Sequence, residues 1–336
     1  MDLNQTLCNM TLDCNNWSRD EDNVHSYGLY ILFSKGSSTL YFIIFVLGII
    51  GNGLVIWIAG FRMKKTVSAV WFLNLAIADF LCCASLPLRI GLFYFRYLNI
   101  DICCFLIIIL YNLNMSASVL LLAAMSFDRC ISVMWPFWAK VHRTCKLVRI
   151  TAAIIWILSF ILTVLVFYMY MFHLYDLSEW CVVLGQGGHV SNMKQPTKLI
   201  RLVLMFVVPF LIIFISYVTI FFKLRNSRRP QRSQRPYRII TAVILCFFIC
   251  WCPYYIWPLT PMYDGSEIPF FTVHLIVVIL ASLNSCINPI IYVFMSPDFK
   301  RGFFRSIPSR LVRALGEQND GDMEGEGVPH INMETP

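Results

Sequence analysis

Seven stretches of the chain are long, apolar and nearly free of charge: roughly 38–61, 67–93, 102–127, 150–172, 202–222, 239–261 and 270–295. About twenty apolar residues at a 1.5 Å rise cross the ~30 Å hydrocarbon core of a bilayer, so each run predicts a transmembrane helix. The third run organises the rest. Phe105 to Phe127 holds no charged residue and then meets Asp128-Arg129-Cys130. Within it, Tyr111, Asn114 and Ser118 recur at spacings of three and four, which places them on one face. A helix in lipid keeps polar groups off the acyl chains, so that face is expected to look at other helices. The pattern predicts an all-α membrane protein with a seven-transmembrane helix bundle over residues 37–296.

The segments between the runs set the orientation, because Lys and Arg favour the cytoplasm. The loop after run one has Arg62, Lys64 and Lys65. The loop after run three has Lys140, Arg143, Lys146 and Arg149, and the one after run five runs from Lys223 to Arg238 with seven basic residues. The loop after run two has Arg96 alone, and the one after run six has no basic residue. After run four, Lys194 and Lys198 are balanced by Asp176 and Glu179. This bias predicts a multi-pass plasma-membrane protein with its N-terminus extracellular. Residues 1–36 then form an extracellular tail, and Asn4, Asn9 and Asn16 each stand in an Asn-x-Ser/Thr glycosylation acceptor. No basic start with an apolar core and cleavage site precedes run one, so that run is expected to direct membrane insertion itself. Residues 297–312 begin with Pro297 and set Phe299, Phe303 and Phe304 against basic residues, which predicts a short amphipathic helix on the inner leaflet. Residues 313–336 read as a disordered acidic cytoplasmic tail.

Composition narrows the function. The chain of 336 residues is 58% hydrophobic and 14% charged, against about 25% charged for a soluble domain. The net charge of +8 is confined largely to the loops and is no nucleic-acid footprint. Most of the thirteen cysteines lie inside apolar runs, where they act as small hydrophobes. No zinc-spaced cysteine pairs, phosphate loop, HExxH or nucleophile elbow is present, so neither catalysis nor a cofactor is expected. A retinal pump needs a Schiff-base lysine in the last helix, and run seven has none. A transporter would show repeated halves with paired broken helices, and no internal repeat is visible.

Polar residues at mid-membrane depth are Asn52, Asp79, Asn114, Ser118, Asn284, Ser285 and Asn288. An intramembrane Asp is costly and points to function. Carboxylate, amide and hydroxyl oxygens from several helices suit Na⁺, with Asp79 as the charged ligand; the alternative is a hydrogen-bonded packing role. Arg89 lies about 15 Å beyond Asp79, and Arg201 about 12 Å before Pro209, at a 1.5 Å rise. Each arginine either snorkels to the headgroups or turns inward toward a carboxylate. Prolines inside runs five, six and seven free backbone carbonyls and permit kinks.

Seven motifs, one per run, carry a resemblance: Gly51-Asn52-x-x-Val55, Leu75-Ala76-x-Ala78-Asp79, Asp128-Arg129-Cys130, Trp156, Pro209 with Tyr217, Cys250-Trp251-Cys252-Pro253, and Asn288-Pro289-x-x-Tyr292. Over about residues 36–312 the chain resembles the rhodopsin-like (class A) G-protein-coupled receptors. The resemblance implies that Arg129, beside Asp128, helps hold the inactive state and then contacts a heterotrimeric G protein. It implies that Tyr217 and Tyr292 swing toward Arg129, and that Trp251 reports the ligand with Phe247, Pro209 and Pro253. Asp79, Asn114, Ser118, Asn284 and Asn288 match the family's sodium pocket. Cys104 and Cys181 match its disulfide, with Cys103 the adjacent alternative; Cys8 and Cys14 either pair or stay free.

The stretches 48–65, 70–80, 128–144, 235–254 and 284–315 are similar to the formyl-peptide, chemerin and anaphylatoxin chemoattractant receptors, above all Arg129 to Arg143. That similarity implies Arg201 as the basic contact for an acidic ligand group, with Arg89, Tyr111, Asn112, Met115, Trp251, Tyr254 and Tyr255 around it. Asn112 stands where formyl-peptide receptors have Asp, and Thr197 where they have a second Arg. Tyr111 replaces the Asp of amine receptors. No cysteine follows Cys286 to carry a palmitoyl anchor, and Ser233 stands where many relatives place an acid near Arg129. Beyond Arg310, Thr335 is the one hydroxyl residue, while Glu317, Asp320, Asp322, Glu324 and Glu326 form an acidic run. The expectation is a non-enzymatic receptor for an extracellular acidic peptide or oxygenated lipid, coupled to inhibitory-type G proteins in leukocyte chemotaxis or inflammation. Arrestin is a second expected partner, and a scavenger or decoy receptor is the alternative.

Overall fold

The computed structural model describes residues 21–62, 65–94, 100–173, 195–225, 235–257 and 267–295. Helix α1 is Glu21–Trp57, extended by a π-helical turn Ile58–Arg62. Then follow α2 (Val67–Tyr94), α3 (Ile100–Met134), the short α4 (Pro136–His142), α5 (Cys145–His173), α6 (Gln195–Leu202), α7 (Val208–Arg225), α8 (Arg235–Ile256) and α9 (Glu267–Met295). A π-helical segment, Val203–Val207, joins α6 to α7. Seven of these units are long and apolar enough to cross a membrane. The amphipathic helix expected over 297–312, the acidic tail and the glycosylation acceptors lie outside the described residues, as do Cys181, Ser233 and the side chains of Cys104 and Tyr292.

Two boundaries differ from the hydrophobic pattern. Helix α1 begins at Glu21, inside the stretch read as tail. Helix α3 does not stop at Asp128 but continues to Met134. Charges end the apolar run but not the helix, since no Gly or Pro follows Asp128 until Pro136; Arg143, just after α4, grips Asp128 through Nε and Nη2, both at 2.7 Å.

Helix α3 is the hub, packing against α2, α5, α7 and α8, while α9 closes the bundle against α1, α2 and α8. Lipid tails are as apolar as Leu, so helix association relies on close packing and polar contacts. Both appear at α1. A Cβ on Gly51 would stand 3.0 Å from Pro289 Cβ, so glycine is what lets α1 approach α9 there. Pro289 has no N–H and leaves the carbonyl of Ser285 unbonded within its helix. Asn52 Nδ2 donates to that carbonyl at 2.7 Å. Two of the seven motifs are thus two halves of one joint. On the α3–α5 seam, Ser116 Oγ lies 3.3 Å from the Ser159 carbonyl, while Ser159 and Thr163 are fully buried. Trp156 Nε1 donates to Asn74 Oδ1 at 3.0 Å and ties α5 to α2.

The outer faces are the reverse. Ile154, Ile157, Phe160 and Ile161 on α5, and Phe214, Ile215, Phe221 and Phe222 on α7, are exposed. In water such a surface would aggregate; in a bilayer it is the solvent-facing surface. Of the kinks expected at prolines, the clearest adaptation is in the fifth span. Pro209 is preceded by the π-helical turn Val203–Val207, where one widened turn absorbs the missing i−4 hydrogen bond. Pro253 and Pro289 lie inside α8 and α9, and a further proline, Pro87, lies inside α2.

Candidate functional site

The polar face predicted on α3 turns inward, and it divides the core into two clusters. In the first, toward the end away from Arg129, Arg201 Nη2 donates to Tyr254 Oη at 3.0 Å and lies 3.3 Å from Asn112 Oδ1. Its Cζ sits 5.1 Å from the Tyr254 ring centre and 5.6 Å from that of Tyr255. A snorkelling side chain would not contact α3 and α8; Arg201 crosses the bundle interior. Tyr111, Trp251 and Tyr254 form a ring triangle beneath it, with centroids 5.2–5.6 Å apart. Trp251 is fully buried, and Met115 lies under Tyr255, whose hydroxyl donates to Met115 Sδ at 2.8 Å. Six of the predicted ligand residues therefore share one wall with Arg201: Tyr111, Asn112, Met115, Trp251, Tyr254 and Tyr255.

Arg89 also turns inward. It is 8% exposed, and its Cζ lies 5.6 Å from the Tyr41 ring and 5.9 Å from the Tyr111 ring. Tyr111 thus lies between Arg89 on one side and Tyr254 with Arg201 on the other.

The second cluster surrounds Asp79. Asn114 Nδ2 donates to Asp79 Oδ1 at 3.0 Å and Asn288 Nδ2 to Oδ2 at 2.8 Å. Asp79, Asn114, Ser118, Asn284 and Asn288 are all 0–1% exposed, so water does not compete for them. Asn114 Oδ1, Ser118 Oγ, both side-chain polar atoms of Asn284, Ser285 Oγ and Asn288 Oδ1 have no hydrogen-bond partner. Side-chain oxygens of this kind are the ligand type that small hard cations take. Among the described residues no three of His, Cys, Asp and Glu converge, so no soft-metal site is assembled.

Two relays lead away from these clusters. Phe247 stacks obliquely on Trp251 at 6.0 Å and edge-on to Phe248 at 5.4 Å. Phe248 meets Phe206 and Phe210 of the fifth span at 5.2 and 5.0 Å, on either side of Pro209 in sequence. At the far end, Arg129 Nη2 donates to Ser68 Oγ on α2 at 2.6 Å, while its neighbour Asp128 is held by Arg143. The adjacent acid and arginine thus engage different elements. Tyr217 is half-buried on α7. Cys103, the alternative to Cys104, carries a free, buried thiol.

Residues 51–292 match the family described as 7 transmembrane receptor (rhodopsin family). The chain belongs to the rhodopsin family of seven-transmembrane receptors. It is 38% identical over 304 residues to Chemerin-like receptor 1 of Sus scrofa, covering 83% of this chain and 81% of that one. Chemerin-like receptor 1 of Homo sapiens is 39% identical over 299 residues, covering 83% and 79%. Formyl peptide receptor 2 of Mus musculus is 34% identical over 326 residues, covering 89% of both chains.

As a rhodopsin-family receptor the chain is a non-enzymatic, multi-pass membrane protein, and the family couples extracellular ligands to heterotrimeric G proteins. Four participants in these clusters were not singled out from the sequence of this receptor: Tyr41, Phe206, Phe248 and Ser68. Tyr41 had a signal, since it precedes Asn52 by about three turns and so shares its inward face. The two phenylalanines had none, because aromatic residues are spread over the lipid-facing and inward-facing sides of the spans alike.

Proposed function

We propose that this receptor detects an extracellular chemoattractant-type ligand bearing an acidic group, peptide or oxygenated lipid, and signals through inhibitory-type G proteins. The observation that carries the reading is the presentation of Arg201: a guanidinium held across the bundle by Asn112 and Tyr254, above a ring triangle that includes Trp251. A charge so placed favours a carboxylate, and the rings supply apolar contact for what the carboxylate is attached to. Similarity to chemerin and formyl-peptide receptors supports the chemoattractant class. The basic loops support an extracellular N-terminus.

Trp251, Phe247 and the Phe248–Phe206–Phe210 contact would pass ligand occupancy to Pro209 and the π-helical turn before it. Opening at the far end would release Arg129 from Ser68 toward a G protein, with Tyr217 and Tyr292 as its new neighbours, while Arg143 holds Asp128. Asp79 with the side-chain oxygens of Asn114, Ser118, Asn284 and Asn288 fits Na⁺, which would favour the closed arrangement. Cys104–Cys181 would tether the outer end of α3, and Asn4, Asn9 and Asn16 would carry glycans.

A panel of acidic peptides and oxygenated fatty acids, applied to cells expressing the receptor and scored for G-protein dissociation, tests the reading. An active acidic ligand whose amide is inactive is expected. Uptake of a bound ligand without any G-protein response would instead support the scavenger alternative, which the intact Asp128-Arg129 and Asn288–Tyr292 motifs disfavour.

A further inference from the structure

Arg89 poses a separate question. It is a guanidinium buried to 8% exposure inside a helix bundle, and among the described residues no carboxylate stands against it; the one ion pair among them, Arg143 with Asp128, lies at the other end. Its neighbours deepen the imbalance. Tyr41 and Tyr111 lie under the guanidinium, and His274 on α9 is within its electrostatic reach. The Tyr111 hydroxyl and Nε2 of His274 are buried and have no hydrogen-bond partner among the described residues, and the buried Tyr41 hydroxyl faces Arg89. Four helices, α1, α2, α3 and α9, therefore bring a guanidinium, two hydroxyls and an imidazole to one place, and among the described residues no anion meets them. Buried charges are normally paired, and a buried cation without an anion marks a missing partner.

We propose that Arg89, the Tyr41 and Tyr111 hydroxyls and His274 form a second anion site, deep in the sense of buried, that takes a carboxylate distinct from the one assigned to Arg201. The ligand class is then a diacid: one carboxylate at each arginine, joined by an apolar stem lying along Tyr111 and Tyr254, whose ring centres are 5.5 Å apart. The diacid assignment rests on the Arg201 reading; the deep site itself does not. A planar carboxylate suits the site because it accepts several hydrogen bonds at once and cancels the guanidinium charge.

The test uses the full-length receptor in neutral phosphatidylcholine nanodiscs and reads its thermal midpoint. The probes are α,ω-dicarboxylates from adipate to hexadecanedioate, their half-amides, and a succinyl-capped apolar peptide with a free or amidated C-terminus. The diacids of one intermediate length, or the free-acid peptide, are expected to raise the midpoint more than their half-amides. Which arm does so tells a lipid-like from a peptide ligand. Arg89→Gln is expected to weaken diacid binding about tenfold or more and to leave diacid and half-amide equal, while Arg89→Lys keeps the preference. A diacid preference that survives Arg89→Gln overturns the deep site. Where Arg89→Gln does not fold, Tyr41→Phe and His274→Gln must each lower the diacid preference without lowering half-amide binding, and an unchanged preference is equally fatal. The two readings separate through Arg201→Gln. Loss of all binding there, with Arg89→Gln without effect, retains the Arg201 site alone; the opposite result retains the deep site alone. A wild-type midpoint that no diacid moves overturns the deep site.

Discussion

The cluster around Arg89 and the cluster around Asp79 sit on shared helices, about 15 Å apart along α2 at a 1.5 Å rise, yet one is built around a cation and the other around an anion. Around Arg89 the unpaired groups are hydroxyls and an imidazole nitrogen; around Asp79 they are side-chain oxygens and the Asn284 amide nitrogen. Each arrangement costs free energy that a purely packed core would avoid, since neither set of buried polar atoms is satisfied within the chain. Helix α3 contributes to both from one face: Tyr111 to the first, Asn114 and Ser118 to the second. One inward face of a helix can thus carry residues of two clusters of opposite charge a few turns apart.

The comparison breaks most directly at Arg201, the cation above the rings. Arg201→Ala should weaken an acidic agonist by about 1.5–3 kcal/mol, the range of a charge-assisted hydrogen bond. Amidating the agonist should cost as much on the wild type and nothing further on the variant. A double-mutant-type cycle of agonist potencies measures this, and additive losses would remove Arg201 as the carboxylate's partner.

At the acceptor cluster the matching change is Asp79→Asn. Replacing choline chloride by sodium chloride should raise the thermal midpoint of the wild type and lower its agonist affinity, by an amount within the 1–3 kcal/mol typical of coupled sites. Because such coupling is reciprocal, agonist should weaken sodium by the same factor. Asp79→Asn should abolish both effects, whereas Arg201→Ala should leave the sodium-dependent midpoint intact. A sodium response that persists in Asp79→Asn returns that carboxylate to a packing role.

The contact between Asp128 and Arg143 sharpens the contrast, because it is a charged pair that water can reach, with side chains 12% and 23% exposed. Its Coulomb energy is screened where those of the buried clusters are not. Arg143→Ala should lower stability by only about 1 kcal/mol, with a smaller loss at high ionic strength, and should leave agonist affinity unchanged. Thermal unfolding at two salt concentrations reads the first effect and radioligand binding the second. A salt-independent loss would mean that the pair is sealed as tightly as the core.

Much of this was legible in the sequence because the bilayer imposes strong rules. Seven apolar runs are visible without any tertiary information, and the polar face of α3 follows from the spacing of Tyr111, Asn114 and Ser118. The family motifs placed Asp79, Asn288 and Trp251 in their clusters. Less legible were the partners. Nothing in the chain order says that Arg143, fifteen residues on, takes Asp128 while Arg129 turns to Ser68. The continuation of α3 to Met134 was masked because Asp128 and Arg129 end the apolar run without ending the helix. The direction of Arg89 was undecidable from register alone: the same position permits snorkelling or burial, and the rings of Tyr41 and Tyr111 make the difference.

The smallest expected effect tests whether the two clusters are separate at all. Tyr255, in the Arg201 wall, reaches Met115, the α3 neighbour of Asn114, through a hydroxyl donated to sulfur at 2.8 Å. Thioether sulfur is a weak acceptor, so Tyr255→Phe should change stability by less than about 1 kcal/mol. The ring contacts to Phe206 at 5.1 Å and Tyr254 at 5.9 Å would persist, as would the face presented to Arg201. Both the sodium affinity read from the thermal midpoint and the agonist potency should therefore stay within about threefold of wild type, well under the tenfold that 1.4 kcal/mol represents. A tenfold shift in either would show that this single hydroxyl couples them. The Arg201 and Asp79 clusters would then be two ends of one continuous polar network, and Asp79→Asn and Arg201→Ala should no longer act independently.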